Sequence, residues 1–156
     1  YGPRQFGTED QGWVAHFLIS ALDGEPITIF GDGRQVRDVL HVSDAVRAYR
    51  QVLESAERLA GRAFNLGGGP RNTVSLLRML EEIERLDGCT VERRHQPARR
   101  GDQLYFAADT RALSEATGWR AHVSWEQGLR DLFDWLRSNR GSASTPATTA
   151  RLSFSA

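Results

Sequence analysis

The sequence has 156 residues, of which 40% are hydrophobic and 26% are charged, as is ordinary for one globular domain with a single core. Its 20 basic and 20 acidic side chains cancel, which argues against a nucleic-acid or membrane-surface partner. No apolar run approaches the roughly 20 residues that cross a bilayer. The single cysteine, Cys89, excludes an internal disulfide and indicates a reducing, cytoplasmic setting.

The first part of the chain predicts two helices separated by two short strands. After a loop over 1–12, apolar residues recur at helical spacing over 13–22, and Gly24 ends that helix. Strands are predicted over 26–30 and 36–42, with a glycine turn at 31–33 between them. Ser43 is a candidate N-cap for a helix over 43–58, whose apolar residues share one face: Ala45, Val46, Tyr49, Val52 and Leu53.

The middle of the chain predicts a strand, a helix and another strand. A buried strand is expected over 63–66, stopped by the glycines at 67–69. Ser75 is the expected N-cap of a helix that runs to Leu86, with Val74 and Met79 spaced as a hydrophobic staple. A short strand is expected over 90–94.

The last part predicts two helices and a tail. Asp109 is expected to cap a brief helix that ends at Gly118, and Ser124 with Gln127 to form a capping box. The final helix then buries Trp125, Leu129, Leu132, Phe133 and Leu136. From residue 141 the composition shifts to Ser, Thr, Ala and Pro, so residues 141–156 are expected to be a disordered tail and 1–140 the domain.

Strands and helices alternate, so the predicted class is α/β. The strands are few and short for a self-sufficient parallel sheet. Together with a first residue that is not methionine, this predicts that the chain is part of a longer protein.

No complete catalytic set is apparent in the sequence. The glycines at 67–69 follow the predicted strand over 63–66, but their spacing is wrong for a dinucleotide fingerprint and favours a tight turn. All 20 basic residues are arginine, so a Tyr-x-x-x-Lys motif cannot occur. The four histidines lack metal-ligand spacing and are interpreted as surface or packing residues.

Arginines beside glycine turns are the main candidates for chemistry. Arg37 follows the turn at 31–33, and Arg99 and Arg100 precede Gly101 and Asp102. Guanidinium groups bind phosphate through paired hydrogen bonds and stay charged at any working pH. If the two turns meet in space they form a diphosphate clamp. The alternative, pairing with surface carboxylates, stays open on spacing alone.

Several motifs, in order, resemble the C-terminal part of an extended short-chain dehydrogenase/reductase that acts on nucleotide sugars. The motifs cover about residues 1–138 and are Tyr1-Gly2-Pro3-Arg4-Gln5, the stretch 31–38, Phe64-Asn65-Leu66-Gly67-Gly68, the stretch 99–102 and Gly118-Trp119. The stretches 4–6, 10–14 and 36–41 resemble most closely the CDP-paratose 2-epimerase (CDP-tyvelose epimerase) branch.

The resemblance implies roles for seven residues, all in substrate binding. Gln11, Gly12 and Trp13 fall where the family lays chain along the nucleotide sugar. Arg37 and Arg99 match arginines that grip the diphosphate, Asp102 matches an acid near the ribose, and Asn65 lies beside the pocket. Arg100 receives no role. No catalytic residue is carried over, because the tyrosine base, its lysine and the NAD fingerprint belong to the family's N-terminal half; Tyr1 belongs to a different motif.

The resemblance therefore implies the nucleotide-sugar-binding part of an NAD-dependent epimerase, with a CDP-sugar favoured and the cofactor-binding half absent. NAD is expected in the parent enzyme but not on this chain alone, which we expect to be inactive. Two alternatives stay open: a non-catalytic binding module or split-gene subunit that pairs with a cofactor-binding chain, and a nucleotide-sugar 4-epimerase or 4,6-dehydratase. The helix over 43–58 and the strand over 63–66 would expose apolar faces, so a homodimer is also possible.

Overall fold

The computed structural model describes residues 1–139, so the predicted tail over 141–156 lies outside the described residues. In chain order the elements are α1 (Trp13–Asp23), β1 (Ile27–Phe30), β2 (Val36–Asp38), α2 (Val42–Glu54), α3 (Ala56–Leu59), a 3₁₀ turn (Pro70–Asn72), β3 (Thr73–Ser75), α4 (Leu76–Asp87), β4 (Arg93–Gln96), α5 (Arg111–Thr117) and α6 (Trp125–Asn139). The α/β class is confirmed. Within residues 1–139, no helix is long and apolar enough to cross a membrane.

The described strands form two small sheets. β1 pairs in parallel with β4, with Ile27 opposite Arg93, and the crossover between them includes α4. β2 pairs antiparallel with β3, with Arg37 opposite Val74, and Val36 also bridges to Tyr105. β2 thus receives partners on both sides, which fixes the position of Arg37.

Two hydrophobic clusters hold these elements together. The larger one lies between α1, α4, α6 and β1, and contains residues with no exposed surface such as Leu18, Ile27, Leu80 and Leu129. The smaller one joins α2 to α5 through Ala48, Leu113 and Trp119.

The helices that the apolar spacing predicted are confirmed, with Gly24 ending α1 and Gly88 ending α4 in left-handed conformations. Ser75 caps α4, since its Oγ accepts a hydrogen bond from the Arg78 amide at 3.2 Å. Val74 and Met79 are both buried in the larger cluster, as the staple requires. These predictions are correct because helix caps and staples depend only on residues within about one turn of the helix end.

Three predicted caps are wrong in detail. The N-cap of α5 is Thr110 rather than Asp109, although the Asp109 carboxylate accepts from the Arg111 amide at 3.0 Å. α2 starts one residue earlier than predicted, and His41, rather than Ser43, is its N-cap, with its ring accepting from the Ser43 amide. α2 also breaks at Ser55, and the remaining turn forms α3. At α6 the Ser124 hydroxyl accepts from the Gln127 amide at 3.2 Å, but the Gln127 side chain turns away to Asp131, so the capping box is half formed.

The predicted strands need the largest corrections. β2 ends at Asp38 instead of residue 42, and the strand expected over 90–94 lies over 93–96, where it can pair with β1. Residues 63–66 are not a strand, because no described segment pairs with them. Phe64 and Leu66 nevertheless pack on the smaller cluster, so the segment is partly buried without being a strand.

Candidate functional site

A cavity of about 210 Å³ lies where β1 ends and β2 begins, and its walls come from separated parts of the chain. Trp13 begins α1, Phe30 ends β1, Arg37 lies in β2, and Arg99 and Asp102 lie in the loop after β4. The two arginine turns that the sequence singled out therefore do meet in space. Fully formed ligand pockets hold roughly 300–1,000 Å³, so the described residues enclose a small part of such a volume.

Arg37 is held in the cavity by two contacts. Its Nη1 donates to the Val36 carbonyl at 2.9 Å, and its Nη2 donates to the Asp102 carboxylate. Its side chain is 21% exposed and that of Asp102 is 33% exposed. The guanidinium is thus oriented and accessible, but a carboxylate of the same chain already occupies it.

Arg99 is oriented by an aromatic ring. Its guanidinium carbon lies 4.0 Å from the centroid of the Phe30 ring, within the range of a cation–π contact. The carboxylates of Glu9 and Asp10 lie 3.7 and 3.6 Å from its Nη2. The cavity therefore combines two arginines with three carboxylates, and an anionic ligand would have to displace the carboxylates from the guanidinium groups.

The seven residues predicted to bind substrate divide into two groups. Trp13, Arg37, Arg99 and Asp102 line the cavity, whereas Gln11, Gly12 and Asn65 do not. Gln11 and Asn65 are exposed. Gly12 has φ 75° at the start of α1, where its carbonyl accepts the His16 amide at 3.1 Å. Glycine is therefore favoured at position 12 because the backbone there is left-handed. The substrate roles of all seven residues stay predictions.

Sequence reasoning missed several residues of this site. Glu9 and Asp10 sit on a turn closed by paired hydrogen bonds between Thr8 and Gln11, of 2.7 and 3.2 Å between backbone atoms. Gln35 is buried, and its Nε2 donates to the Phe30 carbonyl at 2.8 Å. Asp10 and Gln35 lie within quoted motifs and Glu9 directly precedes one, and this position was the only available signal.

Asp38 is a further residue whose role the sequence did not reveal. Its carboxylate accepts three backbone amides: Gly68 at 2.5 Å, Gly69 at 2.9 Å and Ala108 at 2.8 Å. A Cβ on Gly67 would lie 2.7 Å from an Asp38 oxygen, so glycine permits this close approach. We call these four bonded residues the Asp38 clamp: it ties β2 to the glycine turn and to the segment before α5.

The Asp38 clamp distinguishes between the two interpretations of the glycine cluster at 67–69, a dinucleotide-binding loop and a tight turn. A dinucleotide-binding loop offers its backbone amides to a pyrophosphate. Here the Gly68 and Gly69 amides are engaged by Asp38, which supports the tight-turn interpretation. The glycine cluster therefore does not fit NAD.

Tyr1 is part of the packing rather than a base. Its hydroxyl donates to the Trp125 carbonyl at 3.1 Å, and its ring meets His41 edge-on with centroids 5.7 Å apart. Burial raises the pKa of the Tyr1 phenol well above its ordinary value, so the hydroxyl stays protonated. Among residues 1–139 no three His, Cys, Asp or Glu side chains are grouped to hold a metal ion.

Residues 1–67 match the model of the NAD dependent epimerase/dehydratase family. The chain is related to the nucleotide-sugar epimerases and dehydratases. It is 39% identical over 145 residues to the CDP-paratose 2-epimerase of Salmonella typhi and 31% identical over 150 residues to the dTDP-glucose 4,6-dehydratase of Neisseria gonorrhoeae. It spans 42% of the length of each of these proteins, and the matches cover 88% and 90% of this chain.

Solved structures of two related enzymes share the fold. The UDP-glucuronic acid 4-epimerase of Bacillus cereus, in complex with UDP-glucuronic acid and NAD, matches with a TM-score of 0.79 and 27% identity. That match covers 88% of this chain and 42% of the epimerase chain. The UDP-glucose 4-epimerase of Thermotoga maritima with UDP-glucose matches with a TM-score of 0.76 and 31% identity, over 90% of this chain and 44% of the other.

Proposed function

We propose that this chain is the nucleotide-sugar-binding part of an NAD-dependent epimerase that resembles CDP-paratose 2-epimerase. The observation that carries the proposal is the convergence of Trp13, Arg37, Arg99 and Asp102 on one cavity. Two oriented guanidinium groups suit a diphosphate, which each can bind through paired hydrogen bonds. The difference between 39% identity to the epimerase and 31% to the dehydratase favours the CDP-paratose branch over the 4,6-dehydratases.

In this proposal the chain positions the substrate and a nicotinamide held elsewhere supplies the redox chemistry. Arg37 and Arg99 would bind the diphosphate, and Asp102 would exchange its contact with Arg37 for a hydroxyl of the ribose. Trp13 would close the cavity with its ring. Because the NAD fingerprint, the tyrosine base and its lysine belong to the N-terminal half of the family it resembles, we expect the purified chain alone to bind no NAD and to have no epimerase activity.

Calorimetric titration of the chain with CDP, UDP and NAD⁺ tests the proposal. We expect CDP to bind more tightly than UDP, and NAD⁺ to give no response. Arg37→Ala should weaken CDP binding about tenfold or more, since a hydrogen bond to a charged group contributes about 1.5–3 kcal/mol. Arg50→Ala is the matched control, because Arg50 is an exposed arginine of α2 outside this cavity. Equal losses in both variants, or no CDP binding at all, would contradict the proposal.

The exposed side of α2 gives the proposal a second, independent test. Val46, Tyr49 and Leu53 repeat at helical spacing and are 53%, 71% and 75% exposed. A stripe of large apolar residues on a helix is typical of a surface that another chain segment covers. Since the chain spans 42% of its relatives' length, we propose that the remaining part of such an enzyme, which would carry the cofactor, packs on this stripe.

Mixing the chain with the part of the Salmonella typhi epimerase outside the matched region checks this packing. Sedimentation should detect a complex that Tyr49→Glu with Leu53→Glu abolishes, whereas Arg78→Glu, at an exposed position of α4 away from the stripe, should leave it intact. Because both apolar residues are exposed, their exchange should not change the circular dichroism of the chain. If instead the chain self-associates through the stripe and binds no such part, the homodimer alternative replaces this one.

A further inference from the structure

A second cavity, of about 530 Å³, is the more positively charged of the two. It is lined by the glycine turn and 3₁₀ turn over 68–72, by one face of α5 from Thr110 to Glu115, and by Arg120 and Ala121. Three arginines face it, namely Arg71, Arg111 and Arg120, against one carboxylate, Glu115. The first cavity has two arginines against three carboxylates. The resemblance assigns no role to this second cavity.

Two of the three guanidinium groups in the second cavity, those of Arg71 and Arg120, are available for a ligand. Within residues 1–139, neither Arg71 nor Arg120 has a carboxylate within ion-pair distance. Arg111 pairs with Asp109, with 2.6 Å between Nη2 and Oδ2, but Asp109 does not line the cavity. The arginines come from three separate segments, so they surround the space instead of lying along one helix face.

The walls of this cavity are fixed by buried contacts. Asp38 holds the Gly68 and Gly69 amides, and the Asn72 side chain donates to the Val123 carbonyl at 3.1 Å. Behind α5, Leu113 and Trp119 are 2% and 1% exposed. A binding site whose backbone is already ordered loses less conformational entropy when a ligand binds.

We propose that the second cavity binds a phosphate group, either free phosphate or that of a small phosphomonoester. Arg71 and Arg120 supply charge-assisted hydrogen bonds, and the hydroxyls of Thr110 and Ser114, one helical turn apart, line the same wall and can donate further bonds. A volume of about 530 Å³ lies within the range of small-molecule sites, so an organic group attached to the phosphate would also fit. This inference does not depend on the proposed function of the first cavity.

Nuclear magnetic resonance titration of the whole chain at low ionic strength tests the inference. Inorganic phosphate and ribose 5-phosphate are the probes, and sodium chloride at equal ionic strength is the reference. We expect saturable shifts of the amides over 68–72 and 110–115 with either probe. Tighter binding of ribose 5-phosphate would identify a phosphomonoester site, and equal binding a site for free phosphate.

Variants decide whether the arginines of the second cavity are responsible. Arg71→Ala with Arg120→Ala should weaken phosphate binding about tenfold or more. Arg50→Ala with Arg78→Ala removes the same charge elsewhere and should leave binding within about twofold. Arg37→Ala, in the first cavity, should leave the phosphate-induced shifts of the amides over 68–72 and 110–115 unchanged. Should the first double variant fail to fold, Arg71→Gln with Arg120→Gln keeps the side-chain length and should show the same loss.

Three results would overturn the inference. One is a set of shifts that sodium chloride reproduces, which would show general ionic screening. Another is an equal loss of binding in the control double variant, which would show attraction by overall charge. The third is a loss of the shifts over 68–72 and 110–115 in Arg37→Ala but not in Arg71→Ala with Arg120→Ala, which would place the phosphate in the first cavity.

Discussion

Replacing Asp38 with asparagine should destabilise the fold far more than its position near the surface suggests. The carboxylate accepts three amides, through Oδ1 from Gly68 and through Oδ2 from Gly69 and Ala108. Asparagine keeps one of these oxygens and turns a donor toward the other amides. At least one N–H then lacks an acceptor, which costs about 1–3 kcal/mol. The remaining hydrogen bonds become neutral and roughly half as strong.

Together these terms predict a loss of about 2–4 kcal/mol in the free energy of unfolding, a large part of the roughly 5–15 kcal/mol of a typical domain. Urea denaturation measures it, with an unchanged m-value expected because the surface exposed on unfolding is the same. Asp134→Asn, at an exposed position of α6, is the matched control and should cause no measurable change.

Amide hydrogen exchange gives a residue-level test of the same reasoning. In Asp38→Asn the amides of Gly68, Gly69 and Ala108 should exchange faster than in the parent chain, beyond the change of amides in α1. If Asp38→Asn is as stable as Asp134→Asn, or if the three amides keep their protection, the carboxylate does not hold these segments together.

Three further predictions concern single residues. Burial lowers the pKa of His41, and the Asp131 and Asp44 carboxylates oppose this effect. The unfolded chain therefore binds a proton at this residue more readily than the folded chain does. The free energy of unfolding should be highest above about pH 6.5 and should fall as the pH drops toward the lowered pKa of the folded state. Urea midpoints from pH 7.5 to 5 should show this slope, and His41→Asn should flatten it; identical slopes would contradict it. Gly128→Ala should destabilise the protein by about 1–3 kcal/mol, because the added Cβ would lie 2.9 Å from the His41 ring. Thermal denaturation measures this loss. A rise in the melting temperature, as alanine usually gives over glycine within a helix, would refute the close packing. Asp102→Asn should tighten calorimetric binding of inorganic pyrophosphate about two- to fivefold by releasing a competing carboxylate from the first cavity; unchanged affinity would show that no competition exists.

The sequence by itself determined the elements whose signals are local. The spacing of apolar residues located α1, α4 and α6, and Gly24, Ser75 and Gly88 marked helix ends, because a cap depends on the residues within one turn of it. The order of the quoted motifs also indicated the family of enzymes that the chain resembles. Even the exposed stripe on α2 was expected, since Val46, Tyr49 and Leu53 share a face that the chain's own short strands could not cover.

Only the tertiary structure decided which distant segments meet. β4 begins three residues later than predicted because its position is set by pairing with β1. Residues 63–66 form no strand because a strand needs a neighbouring strand, which their own sequence does not specify. The same reason applies to both cavities: Arg37 and Arg99 are 62 residues apart in the chain, and Asp38 bonds to amides about 30 and 70 residues away. Periodicity describes one segment at a time, whereas a site depends on the packing that brings several segments together.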